Sequence, residues 1–166
     1  SFHGGLIGVI LSTYIFSKIK KLNHKIYFDI ICCAAPIGIF LGRIANFINS
    51  ELYGTPTDKP WGIIFPKIDN LTRHPSQLYE AFFEGIILFL IINFLFFMKK
   101  FNYGVISFLF LVLYSIFRII SEQFREPDKH IGYIFDFLSL GSLLSVAMIF
   151  FGIIFISKIN FNEKNK

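Results

Sequence analysis

The chain has 166 residues, of which 54% are hydrophobic, 19% aromatic and only 16% charged, with a net charge of +5. Charged residues fall well below the ~25% of an ordinary globular chain, so the composition excludes a soluble domain. The positive charge does not point to nucleic acid, because the lysines and arginines are scattered between apolar runs and form no stripe.

Five apolar segments follow one another: Leu6–Phe16, Ile26–Leu41, Leu78–Met98, Tyr103–Ser121 and Ile134–Ser157. Against the ~20 apolar residues that cross a bilayer, they predict an all-α, polytopic membrane protein of about five transmembrane helices. These form a single transmembrane domain over residues 1–166. Gly4 and Gly8, and Gly38 and Gly42, have the small-xxx-small spacing that lets helices approach closely. Cys32 and Cys33 are adjacent in an apolar run and are read as packing residues, since neighbouring Cα atoms about 3.8 Å apart do not suit an ordinary disulfide.

The loops orient the segments. Lys18, Lys20, Lys21 and Lys25 lie between the first and second, Lys99 and Lys100 between the third and fourth, and Lys158, Lys164 and Lys166 after the fifth. The positive-inside rule puts these connections in the cytoplasm. The Tyr53–Arg73 and Arg125–Tyr133 loops then face outward. The first of these carries Pro56, Pro60, Trp61 and Pro66. It is expected to fold back on the membrane surface as a small β-rich or irregular lid.

Polar residues interrupt the pattern at Gly42–Gly54. Arg43, Asn46 and either Asn49 or Ser50 recur at helical spacing, which puts a guanidinium and two amides on one face. Such a face either sits in the headgroup layer or lines a polar site. An arginine fork suits phosphate, to which it can donate two parallel hydrogen bonds. Tyr114, Arg118 and Glu122 are spaced by four on the fourth segment. One reading is an internal Arg118–Glu122 ion pair, but Glu122 lies near a helix C-terminus, where the dipole disfavours an anion. Arg43 or Arg125 is expected to compensate it. Glu80 and Glu84, also spaced by four, repel each other and are read as structural. His3 is either an interfacial hydrogen-bonder or a base, and it precedes Gly4-Gly5, where backbone could approach a ligand. His3, His24, His74 and His130 are widely separated and no metal-ligand spacing occurs, so no metal is expected.

Four blocks resemble the bacterial prolipoprotein diacylglyceryl transferases: Gly42-Arg-Ile-Ala-Asn-Phe-Ile-Asn-Ser-Glu-Leu-Tyr-Gly54, His3-Gly-Gly-Leu-Ile-Gly8, His74-Pro-Ser-Gln-Leu-Tyr-Glu80, and the ladder Tyr114, Arg118, Glu122. The family has further membrane segments before the first block, so the chain is expected to lack an N-terminal part. The resemblance implies transfer of the diacylglyceryl group of phosphatidylglycerol to the lipobox cysteine of a preprolipoprotein signal peptide, with release of glycerol phosphate. It places this step at the outer face of the bacterial cytoplasmic membrane, as the first step of lipoprotein maturation, with no cofactor and among membrane lipids. It implies catalytic roles for His3, Tyr114, Arg118 and Glu122, and phosphatidylglycerol binding by Gly4, Arg43, Asn46, Asn49, Glu51 and Gly54. The residues alone leave two other classes open, a transporter of an anionic metabolite and a non-catalytic phospholipid-binding subunit. Repeated halves and broken helices, which a transporter would show, are not evident.

Overall fold

A computed structural model describes residues 2–126, 133–134 and 138–164 of the chain. Most of the expected Arg125–Tyr133 loop lies outside the described residues. The helices are α1 (Phe2–Ile19), α2 (His24–Asn49), α3 (Ser76–Glu80), α4 (Leu88–Phe97), α5 (Val105–Glu122) and α6 (Leu140–Lys164). A π-helical segment, Ala81–Ile87, joins α3 to α4 into one continuous span. Among the described residues, four helices are long and apolar enough to cross a membrane, and Ile7–Ile19 of α1 is a shorter apolar helix. The chain is an all-α polytopic membrane protein.

α2, the α3–α4 span and α5 pack around Cys33, Leu88, Ile92 and Ile106. α1 lies against α2 and α6 against α5. Phe108 of α5 stacks on Phe155 of α6 at 5.0 Å between ring centroids. The expected small-residue seams are not where the helices meet. Gly8, Gly38 and Gly42 face open space, whereas a Cβ on Gly85 would come within 2.7 Å of the Phe40 Cβ. Close crossings are thus between α2 and the π segment, and between α5 and α6, where a Cβ on Gly152 would come within 2.6 Å of Val112 Cγ2.

Buried polar groups tie the helices together. Pro36 removes the donor that the Cys32 carbonyl would take in an unbroken helix. The adjacent Cys33 carbonyl accepts from Asn93 Nδ2 on α4 at 3.0 Å. At the lysine-rich end, α5 begins at Gly104 with no capping side chain of its own. Asp29 on α2 supplies one from outside: its carboxylate accepts from Gly104 N at 2.7 Å, Ser107 N at 2.8 Å and Ser107 Oγ at 2.5 Å. An anion at a helix N-terminus satisfies orphan donors and complements the dipole.

At the other end, α2 stops where Ser50 turns left-handed, with Ser50 N donating to the Phe47 carbonyl and Glu51 N to the Asn46 carbonyl at 2.9 Å. Two nested bonds of this kind close a helix C-terminus. The loop beyond folds as a hairpin, β1 (Ile63–Ile64) pairing antiparallel with β2 (Thr72–Arg73). Arg73 is buried and organises it, binding Asp69 at 2.6 Å, the Gly54 carbonyl at 3.0 Å and Glu126 at 3.2 Å. The hydrogen bonds to Asp69 raise the Arg73 pKa above its ordinary value. A second pair, β3 (Tyr133–Ile134) with β4 (Leu138–Ser139), precedes α6.

The cap from Asp29 predicts a measurable stability effect. Asp29→Ala leaves three donors at the start of α5 without their acceptor, and should cost about 1–3 kcal/mol. Asp29→Asn, which keeps an acceptor without the charge, should lie between. Thermal unfolding in one detergent at constant pH checks the order, and equal midpoints for all three proteins would refute the role.

Candidate active site

The end of the bundle away from the lysines gathers the C-termini of α2 and α5 and the N-termini of α3 and α6. Glu80, the last residue of α3, and Glu84, inside the π segment, are both fully buried. Carboxylates cannot be left unpaired there, and cations reach them from two other helices. Arg43 on α2 places Nε 3.0 Å from Glu80 Oε2 and Nη2 3.2 Å from Glu84 Oε2. Arg118 on α5 places Nη1 2.5 Å from Glu80 Oε1 and 3.6 Å from Glu84 Oε1, and Nη2 2.7 Å from Glu122. Arg125 Nη1 stands 3.6 Å from Glu80 Oε1. Among the described residues, three arginines and three glutamates therefore share one network, with their formal charges in balance. Arg43 and Arg118 keep 16% and 11% of their side-chain surface exposed over glutamates that keep none. Arg43 and Arg118, together with Glu122, which keeps 12%, thus lie outside the two buried glutamates.

The fork of Arg43 is engaged on two of its nitrogens by carboxylates, and among the described residues Nη1 has no protein partner. That edge is what remains for a ligand. Asn46 is half-buried one turn on, whereas Asn49 and the Glu51 side chain are exposed. The Glu51 carbonyl accepts from Gln77 Nε2 at 2.6 Å, and the Leu52 carbonyl from Ser76 Oγ at 3.0 Å. The block from His74 to Glu80 thus clamps the exit of the Gly42–Gly54 run. Gly54 is buried in backbone packing: an added Cβ would stand 2.6 Å from the Phe124 carbonyl oxygen and 2.7 Å from the His74 Cβ. Only glycine fits there, and the fit is to protein.

Tyr114, Arg118 and Glu122 line one face of α5, as their spacing predicts. Tyr114 is half-buried and its ring stacks on Phe110. Glu122 pairs with Arg118, and the start of α6 abuts it, the Cβ position of Gly141 lying 3.2 Å from Oε1. A helix N-terminus offsets the unfavourable dipole at the end of α5. Arg43, the other compensating charge the sequence suggests, turns to Glu80 and Glu84 instead. Gly4 lies within α1 and is exposed, so the Gly4-Gly5 pair makes no turn. His3 also belongs to α1, and its side chain lies outside the described residues.

Sequence reasoning left Glu80 and Glu84 out of the site, although they hold both of its principal arginines. The available signal was the pairing of two carboxylates four apart in an apolar span with two arginines on other spans. Among the described residues no group of three or more His, Cys, Asp or Glu side chains is arranged to hold a metal ion. The arrangement can hold an anionic group at its outer arginines, with carboxylates behind it as proton acceptors or positioning groups.

Residues 1–158 match the family described as prolipoprotein diacylglyceryl transferase. Among curated proteins, the chain is 55% identical over 160 residues to the phosphatidylglycerol–prolipoprotein diacylglyceryl transferase of Rickettsia bellii, covering 95% of this chain and 61% of that protein. The proteins of the same name from Ehrlichia canis and Wolbachia pipientis are 51% and 48% identical, covering 99% and 100% of this chain and 64% and 65% of theirs. The chain thus spans a little over three fifths of the length of these relatives.

Proposed function

Because the chain belongs to the prolipoprotein diacylglyceryl transferase family, we propose that it carries the charged site for moving the diacylglyceryl group of phosphatidylglycerol onto the lipobox cysteine of a preprolipoprotein. The observation that carries this reading is the convergence of Arg43 and Arg118, from different helices, on one pair of buried carboxylates. In the reaction the cysteine thiolate attacks the diacylglyceryl carbon bonded to the phosphate oxygen. A carbon–sulfur bond forms, the carbon–oxygen bond breaks, and the phosphate leaves with the electron pair as glycerol phosphate.

Two demands follow. A thiol of ordinary pKa ~8.5 must lose its proton, and the leaving phosphate gathers negative charge that fixed cations stabilise. Arg43 and Arg118 meet the second demand, with Glu80 and Glu84 holding their guanidinium planes. Asn46 and Asn49 supply amides along the same side of α2, Glu51 and Gly54 shape the exit of that helix, and Tyr114 and Glu122 flank Arg118. His3, which matches the first block of the family, is the base, and Gly4 lies beside it at the lipid's approach.

Lys18, Lys20, Lys21, Lys25, Lys99, Lys100 and Lys158 lie toward the end of the bundle opposite this site, against Lys59 and Lys67 in the loop beside it, and this excess supports a site open to the outer leaflet of the cytoplasmic membrane. A single cysteine replacing Asp58, in a cysteine-free background, should react with an impermeant maleimide added to intact cells. One replacing Lys21 should react only after permeabilisation. The reverse labelling would overturn the orientation.

Arg43→Lys should leave the protein folded and nearly abolish transfer to a lipobox peptide. Lysine keeps the charge, but its donors sit on one nitrogen, and it loses the planar fork whose separate edges face two carboxylates and a phosphate. Loss of that contact should cost roughly 2–4 kcal/mol in the transition state, about 30- to 1000-fold in rate. A rate near that of the unaltered protein would remove Arg43 from the phosphate site.

His3→Gln should regain much of its lost rate as pH rises toward the thiol's own pKa, because hydroxide then supplies the thiolate. Glu122→Gln should show no such recovery. Parallel rate profiles for the unaltered and His3→Gln proteins from about pH 6 to 9 would mean that His3 is not the base.

A further inference from the structure

The loop between α2 and α3 carries a surface that the charged site does not use. One side of its hairpin faces the protein. Phe65 is buried, in edge contact with Phe47 of α2 at 5.9 Å and tilted against Tyr53. Arg73, opposite Ile63 in the register, is buried as well. Side chains alternate across a strand, so Ile64 and its partner Thr72 point away from Arg73. The remaining apolar side chains are left outside: Trp61 is 56% exposed, Ile64 50%, Ile68 39% and Leu71 52%. Lys59 and Lys67 are exposed among them.

Trp61 is nonetheless fixed in height. Its indole Nε1 donates to Tyr79 Oη at 2.9 Å, and that oxygen also stands 3.1 Å from His74 Nδ1. Tyr79 belongs to α3, the first turns of the span Ser76–Phe97. The polar edge of Trp61 is therefore held where a membrane span begins, while its apolar body stays open. Exposed apolar residues of the spans adjoin the hairpin on two helices, Ile48 next to Phe47 on α2 and Phe82 three residues after Tyr79.

We propose that the hairpin Lys59–Arg73 is an interfacial anchor, with Trp61, Ile64, Ile68 and Leu71 seated in the headgroup layer and Lys59 and Lys67 against anionic phospholipid. Tryptophan with a satisfied N–H and an exposed ring suits that layer. Lysines beside it add attraction to a negative surface; Asp69 is bound to Arg73, and Asp58, exposed next to Lys59, offsets part of that lysine's charge and leaves Lys67 the freer of the two. Four apolar side chains spread over eleven residues form no groove of fixed shape. A fluid surface needs depth and charge alone, whereas a protein partner would need complementarity. The inference rests on the bundle spanning the membrane and is independent of the transfer reaction.

Trp61 is the one tryptophan of the chain, so its fluorescence reports on the hairpin directly. The protein is reconstituted in phosphatidylcholine bilayers, with or without phosphatidylglycerol, whose acyl chains carry bromine near the glycerol or near the chain ends. Bromine near the glycerol should quench Trp61 about two-fold more than bromine at the chain ends, as expected for an aromatic at headgroup depth. Iodide added in the water should quench it weakly. Lys59→Gln combined with Lys67→Gln should reduce the lipid quenching in phosphatidylglycerol-containing bilayers and leave it unchanged in phosphatidylcholine alone. Strong iodide quenching without a bromine effect would put the hairpin in water and overturn the proposal. Quenching by neither would mean that a protein surface covers Trp61, which overturns it equally. Because the readout involves no transfer, an Arg43→Lys variant with undiminished transfer and normal quenching would count against the proposed reaction and not against the anchor.

Discussion

Two glutamates that keep no exposed surface, four residues apart in one membrane span, are the constraint around which the site end of this protein is arranged. Removing a charge from water costs several kcal/mol even after relaxation, and two like charges on one helix face add repulsion. The pair is tolerable because guanidinium groups arrive from both flanking helices with several N–H donors each. That requirement fixes how far α2 and α5 stand from the α3–α4 span. It also makes the cluster cooperative. Taking away one glutamate strands cations, and taking away one arginine strands carboxylates, so the members do not act one at a time.

The backbone helps. Glu80 lies at the start of its span, where the helix dipole favours an anion. Arg118 lies near the end of α5, where a cation is favoured. Glu122 is the misplaced charge, and α6 brings its N-terminus against it. Between Glu80 and Glu84 the helix changes to i→i+5 hydrogen bonding, a form that is rare and recurs at functional sites. The widened turn coincides with a close helix crossing, at Gly85 and Phe40, and that crossing brings Arg43 level with both carboxylates.

Much of this was legible in the sequence. Long apolar runs and the alternation of lysine-rich loops specify the helices and their up-and-down order, because a bilayer leaves a backbone few alternatives. The ladder Tyr114, Arg118, Glu122 reads directly from helical spacing. Two things did not read. The small-xxx-small pairs suggested seams at Gly38 and Gly42, yet the tight seams run through Gly85 and Gly152, since which glycine is buried depends on the partner helix and not on spacing. The arginine partners of Glu80 and Glu84, read as structural, were not legible either, because a period of four on one helix says nothing about what the neighbouring helices carry. The π segment that presents them has no sequence signature among the rules of helical periodicity.

The balance of charge bears on how the proposed substrate would be held. Three arginines facing three glutamates offer no net positive field, so a phosphodiester gains little from long-range attraction to this cluster. Its hold must come from short, directional bonds at the outer layer, where Arg43 retains an N–H edge and Asn46 lies one turn away. Such an arrangement favours selectivity for charge that develops in place. A group whose negative charge grows as a bond breaks gains from guanidinium groups already oriented by their glutamates, because no reorganisation is needed at that moment. A resting phosphate meets the same arginines with their charge partly spent on Glu80 and Glu84. Repulsion from the buried carboxylates grows with the charge on the phosphate, so they favour the transition state only by holding the guanidinium groups in place beforehand.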